Sequence, residues 1–210
     1  MDRYRNYAEL SHHEAEGTDF RVHVRHGRSV YAIVAPHGGL IERGTQWLAD
    51  AIAATDHTFY AFEGRKPRGN ARLHITSNRF DEPRALAAVA RVHTVVTVHG
   101  ARDSEEAIYA GGRDLELRGA LLEALRCSGF HAAADPSPTR QGLGPTNICN
   151  RGLSGRGVQF ELPVGMRKRM FDLNAGRWMP NERFHSFVAV VRTTLETHCR
   201  VRSESHATQS

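Results

Sequence analysis

Apolar positions along the chain fall into short runs broken by glycine, proline and histidine, with stretches of helical spacing between them. Tyr31–Ala35 (YAIVA) is a continuous apolar run of strand length. Pro36 ends the run, Gly38-Gly39 permit a tight turn, and Trp47, Leu48, Ala51 and Ile52 then recur at helical spacing. The chain is organised around this strand–turn–helix unit, Tyr31–Ala54. Ahead of it, Asp19–Arg25 alternates Phe20, Val22 and Val24 with polar partners, as a half-buried strand does. Beyond it, Thr58–Phe62, Leu73–Thr76, Val92–Val98, Ile108–Ala110, Phe130–Ala134 and Val158–Leu162 predict strands. Glu82–Arg91 predicts a helix entered through Asp81 with Pro83 in its first turn. Asp114–Ser128 predicts a leucine-faced helix stopped by Gly129, and Asn181–His198 one with Phe184, Phe187, Val188, Val191 and Leu195 on one side. Asp135–Gly157, rich in Pro, Gly, Ser and Asn, reads as a long loop of the kind that carries function.

Strands alternating with helices over 210 residues predict one α/β domain at 19–200, with a polar lead-in at 1–18 and a polar tail at 201–210. Hydrophobic content of 40% and charged content of 24% are globular values. No run of about 18 or more apolar residues exists, which predicts no membrane association through a spanning helix. The first residues lack the apolar core of a signal peptide, and Cys127, Cys149 and Cys199 form neither a disulfide framework nor a zinc-finger spacing. A cytoplasmic, reducing location is the expectation. Net charge is +5, and with Lys66 and Lys168 the only lysines the basicity is almost all arginine. Arginine suits bidentate capture of carboxylate or phosphate, although an arginine-rich surface alone has the same composition.

The chemistry gathers at strand ends. His37 follows one strand and His99 another, each before a glycine, and Glu42 lies five residues after His37. Two His and one carboxylate make a zinc set with an open position, the pattern of a hydrolytic site. Taken singly, each has a plain alternative: any of 13 histidines can be structural, and Glu42 can face a helix dipole. Glu161 shares one strand face with Gln159, opposite Val158, Phe160 and Leu162. It is either an outward-facing strand residue or a general base for metal-activated water.

Several short motifs then recur in one order: APHGG-x-IE-x-GT (Ala35–Thr45), FEG (Phe62–Gly64), NARLHITS (Asn70–Ser77), FDEP (Phe80–Pro83), TVHG (Thr97–Gly100), AGGRD (Ala110–Asp114), NICNR (Asn147–Arg151) and GVQFELP (Gly157–Pro163). Together they resemble the poly-γ-glutamate hydrolase family, first met in bacteriophages and also present in bacterial genomes, over roughly residues 30–171. The resemblance implies a zinc-carboxypeptidase-like fold, an open mixed β-sheet flanked by helices. It places His37, Glu42 and His99 on the zinc ligands and Glu161 on the catalytic carboxylate. Typical carboxypeptidases space the ligand Glu closer to the ligand His, so the five-residue gap here agrees with the phage-type hydrolases and speaks against pancreatic-type exopeptidase activity.

The implied activity is zinc-dependent hydrolysis of γ-glutamyl amide bonds, with Glu161 taking the proton of the attacking water and passing it to the leaving amine. The implied partner is an anionic γ-glutamyl polymer or peptide, bound by a monomer, with release by lysis if the gene is phage-derived. Arg65, Arg68 and Arg79 are candidates for the polymer's free carboxylates, and Arg102, Arg113 and Arg156 for the oxyanion. Three other readings stand beside this one: a zinc amidohydrolase acting on another N-acyl amino acid or a cell-wall γ-glutamyl bond, a Cys149 nucleophile, and an arginine-rich nucleic-acid binder. Against the last, no nucleic-acid-binding signature is present, so no nucleic-acid partner is expected.

Overall fold

A computed structural model of the chain describes residues 2–207, with side chains as far as Val201. Its elements are α1 (Tyr7–Ser11), β1 (Phe20–Arg25), β2 (Tyr31–Gly39), α2 (Thr45–Ala53), β3 (Thr58–Gly64), α3 (Pro83–Val89), β4 (Thr94–Ala101), β5 (Ile108–Gly111), α4 (Leu115–Cys127), β6 (Ala132–Ala134), β7 (Val158–Pro163), α5 (Val164–Arg169), β8 (Phe171–Asn174), β9 (Arg177–Pro180) and α6 (Glu182–Ala207). Seven strands form one sheet in the order β1-β3-β2-β4-β7-β5-β6. The central β3, β2, β4 and β7 are parallel, while β1 runs antiparallel to β3 and β5 antiparallel to β7. This is the open mixed sheet that the motifs implied.

Helices α2, α4 and α6 cover one face. Ile33, Val96, Val98, Phe160 and Leu162 meet Leu48, Ile52, Leu121, Leu125, Phe187 and Leu195 there. On the other face Ala32, Val34, Tyr60, Phe62 and Val95 meet Leu10, Leu73, Ile75, Phe80 and Ala85. Central strands buried on both faces need apolar side chains on both, which is why β2 and β4 read as near-continuous apolar runs. The register pairs His99 with Glu161, so the two side chains leave the same face of neighbouring strands.

Helix α3 is entered through Glu82, whose side chain accepts from Ala85 N–H, and not through Asp81, and four larger departures from the sequence pattern stand beside this one. Strand β2 does not end at Pro36 but runs on to Gly39. Its register against β3 shifts between Ala35 and Gly38, and its pairing with β4 stops at Val34, so the missing proline N–H falls where the ladder is already broken. Leu73–Thr76 is not a strand: a 3-10 turn, Asn70–Leu73, leads into an extended link whose alternating burial mimics one. The lead-in is packed down, with Leu10 buried and the Tyr4 hydroxyl donating to Glu14 at 2.7 Å. Helix α6 continues to Ala207, since an established helix propagates through the polar residues that follow; residues 208–210, the rest of the expected tail, lie outside the described residues.

Candidate metal centre

The broken end of β2 aims His37 out of the strand. Glu42 closes the following turn by donating its N–H to His37 O at 2.9 Å, two residues before Gly44, the cap of α2. It therefore sits in a loop and not in the first helical turn. The turn needs glycine at Gly39, where φ is 64° and a Cβ would lie 2.7 Å from Gly64 N. His99 comes from β4, and the N–H of the next residue, Gly100, donates to Glu42 Oε2 at 2.8 Å.

These elements bring His37, Glu42 and His99 together, with their ligating atoms within 4.8 Å of one another. His37 Nδ1 is 3.2 Å from His99 Nδ1 and 3.2 Å from Glu42 Oε1, and His99 Nδ1 is 3.7 Å from Glu42 Oε2. Ligands about 2.0–2.1 Å from a tetrahedral ion lie about 3.3–3.4 Å apart, so the observed edges are those of a small coordination polyhedron. The outer nitrogens support the same reading. His37 Nε2 faces Ile75 O at 2.8 Å, and a carbonyl only accepts, so Nε2 carries a proton and Nδ1 is turned to the cluster. His99 Nε2 meets the Ser77 hydroxyl at 3.2 Å. Two imidazole nitrogens and a carboxylate facing one another need a cation or a shared proton between them. The donor set fits a zinc-like ion.

Burial alone would lower His37, but the Glu42 carboxylate and the Ile75 carbonyl outweigh it and raise its pKa above the ordinary histidine value. Burial would raise Glu42, yet the adjacent imidazoles pull it down to about 2. Burial holds His99 down to about 3, so its ring is a neutral donor.

Glu161 stands beside this set in β7. Its Oε1 accepts from Gln159 Nε2 at 3.0 Å, and Gln159 Oε1 accepts from Asn147 at 3.0 Å. Burial, then the nearby Glu42 and Asp135 carboxylates, push Glu161 well above the usual carboxylate range.

The set lies at the bottom of a two-lobed cleft. One lobe, about 460 Å³, is bounded by Glu161, Gln159, Asn147, Leu143, Arg102 and Arg140. The other, about 490 Å³, is bounded by Ile41, Ala71, Thr76, Arg79 and Arg102, with Asp2 at its edge. Arg102 and His74 border both lobes. The sequence candidates therefore divide. Arg79 and Arg102 line the cleft. Arg65 and Arg68 are exposed and line neither lobe; their loop turns towards the lead-in, where Lys66 pairs with Glu14 and Arg65 N–H donates to Asp19 O at 2.8 Å. Arg113 and Arg156 are also exposed and line neither lobe. Arg156 lies two residues before β7, and because β5 runs antiparallel to β7, Arg113 falls beside that same end, away from Glu161. Cys149 is fully buried and its thiol is pushed up to about 12 by that burial, which removes it as a nucleophile.

Four contributors escaped the sequence reading. His74 stacks on His37 with ring centroids 4.0 Å apart, and it lay within a quoted motif. Arg140 comes from the long loop that composition had already marked, and it is bound to Asp103 and Asp135. Arg167 is buried and donates to Leu162 O, Arg43 O and Ala101 O at 3.0, 2.7 and 2.9 Å, tying together the strand ends that carry the site. Its guanidinium lies where a Cβ on Gly100 would be, 2.6 Å from Cζ, so glycine is required there. Nothing in the sequence signals the fourth, Asp2.

The family model for poly-gamma-glutamate hydrolase matches residues 4–191. Protein YndL of Bacillus subtilis (strain 168) is 36% identical over 194 residues, covering 90% of this chain and 76% of YndL. The SPbeta prophage-derived protein YoqZ of the same strain is 32% identical over 194 residues, covering 90% of this chain and 70% of YoqZ. Among solved structures, a bacteriophage poly-gamma-glutamate hydrolase superposes with a TM-score of 0.89 at 28% identity, covering 94% of this chain and 98% of that one. A zinc-free apo form of YndL superposes with a TM-score of 0.85 at 34% identity, covering 93% and 98%.

Proposed function

The chain belongs to the poly-gamma-glutamate hydrolase family, and on that premise we propose that it is a zinc-dependent hydrolase of γ-glutamyl amide bonds, acting on poly-γ-glutamate. The observation that carries the reading is the convergence of His37, Glu42 and His99 beside a buried, proton-hungry Glu161. Zinc is the preferred ion because the donors are two imidazoles and one carboxylate and because a relative is known in a zinc-free form. When bound, it lowers the pKa of water toward about 7 and polarises the scissile carbonyl.

The remaining chemistry belongs to the chain. Gln159 engages Glu161 Oε1, which leaves Oε2 for the attacking water. Glu161 takes the water's proton and returns it to the departing amine nitrogen; a carboxyl raised above the usual carboxylate range by burial is suited to both transfers. Arg102 borders both lobes and reaches the free carboxylates that a γ-linked chain carries on every residue.

The test is incubation of the full chain with γ-linked polyglutamate, with and without a chelator, followed by sizing of the products. Shortened polymer is expected only without chelator, with activity restored by zinc, and α-linked polyglutamate should stay intact. Undiminished cleavage under chelation overturns the metal reading. An intact γ-polymer alongside cleavage of a small N-acyl amino acid moves the substrate to another amide on the same site.

A further inference from the structure

We propose that Asp2 is a positioning residue for the metal set: its carboxylate fixes the His74–Ser77 link, whose intervening residues hold the outer nitrogens of His37 and His99. The inference rests on the metal reading above.

The link is extended, and successive residues turn to opposite tasks. His74 Nδ1 donates to Asp2 Oδ1 at 2.7 Å, and Thr76 N–H donates to Asp2 Oδ2 at 2.8 Å. Between and after them, Ile75 O accepts from His37 Nε2 and Ser77 Oγ meets His99 Nε2. The even positions are tied to Asp2 and the odd ones to the metal histidines. Arg79 closes the clamp with a 2.7 Å contact to Asp2 Oδ2. The Asp2 side chain is only 7% exposed. Burial alone would raise its carboxyl, but the Thr76 N–H and the His74 imidazole bring it down to about 2, so the clamp stays ionised at neutral pH. The bound His74 ring in turn lies 4.0 Å from the His37 ring, fixing its plane.

Partners of a ligand's outer nitrogen set its tautomer and orientation, and losing them typically costs about 10–100-fold in metal affinity. Asp2 controls two such partners from one remove.

The experiment is zinc titration against a chromophoric chelator, for the full chain and for Asp2→Ala, Asp2→Asn and Glu14→Ala, with thermal unfolding of each metal-free protein. Glu14→Ala loosens the same lead-in, through Tyr4 and Lys66, without touching the His74–Ser77 link. Asp2→Ala is expected to weaken zinc about 10-fold or more. Asp2→Asn, which keeps an acceptor for Thr76, should recover part of that affinity, and Glu14→Ala should bind zinc like the unaltered chain. Zinc binding within about twofold of normal in Asp2→Ala overturns the proposal, as does an equal loss in Glu14→Ala. Faster polymer turnover with unchanged zinc affinity in Asp2→Ala also overturns it, making Asp2 a plug on Arg79. If the unaltered chain takes up no zinc, the metal reading itself fails.

Discussion

The two faces of the sheet are covered in different ways. One carries α2, α4 and α6, helices of 9, 13 and 26 residues whose apolar sides close over the strands. The other carries α1 and α3, of 5 and 7 residues, and two 3-10 turns of 4 and 3 residues joined by the His74–Thr76 link. The candidate metal set lies on this second side. A helix spends its backbone groups on itself, whereas an extended link leaves Ile75 O and Thr76 N–H free to hold His37 and Asp2. The irregular cover lets main-chain atoms organise the candidate metal set, while the helical cover packs side chains alone against the strands.

The sharpest way to break this division is to remove a donor from the irregular side. His37→Ala and His99→Ala should each abolish stoichiometric zinc binding and polymer cleavage together. Zinc in excess raises the melting temperature of a protein that binds it only when folded, so both variants should lose that rise while their metal-free melting stays close to the parent. Stoichiometric zinc retained by either variant would take that histidine out of the set.

Glu161→Gln should divide the site itself. Zinc uptake is expected to survive while turnover falls roughly 10²–10⁴-fold, the share of general acid–base catalysis. There is a pH signature in the metal-free protein. Because the folded-state pKa of Glu161 is raised, the folded state binds its proton more tightly than the unfolded chain, and the parent loses stability as pH rises above about 4.5. Glu161→Gln removes that loss, so it should be the more stable protein at neutral pH, with the gap closing in acid. A gap that widens in acid would mean that the carboxylate is stabilised by its surroundings, and the base assignment would lose its physical basis.

The opposite face gives the converse experiment. Phe187 is fully buried against Phe130 and Phe160 beneath the sheet. Phe187→Ala should cost about 3–5 kcal/mol in denaturant unfolding and leave the zinc affinity of the folded fraction unchanged. A parallel loss of zinc affinity would show that the two faces are mechanically coupled.

The same contrast decides what could be read from the sequence. Regular elements announce themselves by periodicity, so β7 and α4 were legible almost to their ends, and β2, β4 and α6 in place though not in full length. His37, Glu42 and His99 were legible as a candidate set because each sits at a strand end before glycine or in a recurring motif. Strand direction leaves no mark on residue pattern, and this is why the sequence could not show that Arg113 lies away from the cleft: an antiparallel β5 carries the loop after it away from Glu161. Pro36 looked like a stop because a bulge that excuses its missing N–H depends on the neighbouring strands. Asp2 is one acid in a polar stretch, and only a contact across 72 positions, to His74, gives it meaning.

The smallest expected effect concerns the arginines, and it follows from which charges are already spent. Arg79 is paired with Asp2, and Arg140 with Asp103 and Asp135, so a substrate carboxylate would have to compete for either. Arg102 is exposed on the shared wall of the two lobes and has no hydrogen-bond or ion-pair partner among the described residues. A charge-assisted hydrogen bond is worth about 1.5–3 kcal/mol, and solvent exposure places this one at the low end. Arg102→Ala should therefore raise KM for γ-linked polyglutamate about tenfold at low salt, with zinc content and kcat held, and the penalty should shrink as salt screens the parent's attraction. Replacing Arg65 and Arg68 together should change KM by less than twofold, since neither reaches the cleft. If the double variant carries the larger, salt-sensitive penalty, the polymer runs along the lead-in side of the molecule, and the irregular face has a second binding track beyond the metal set.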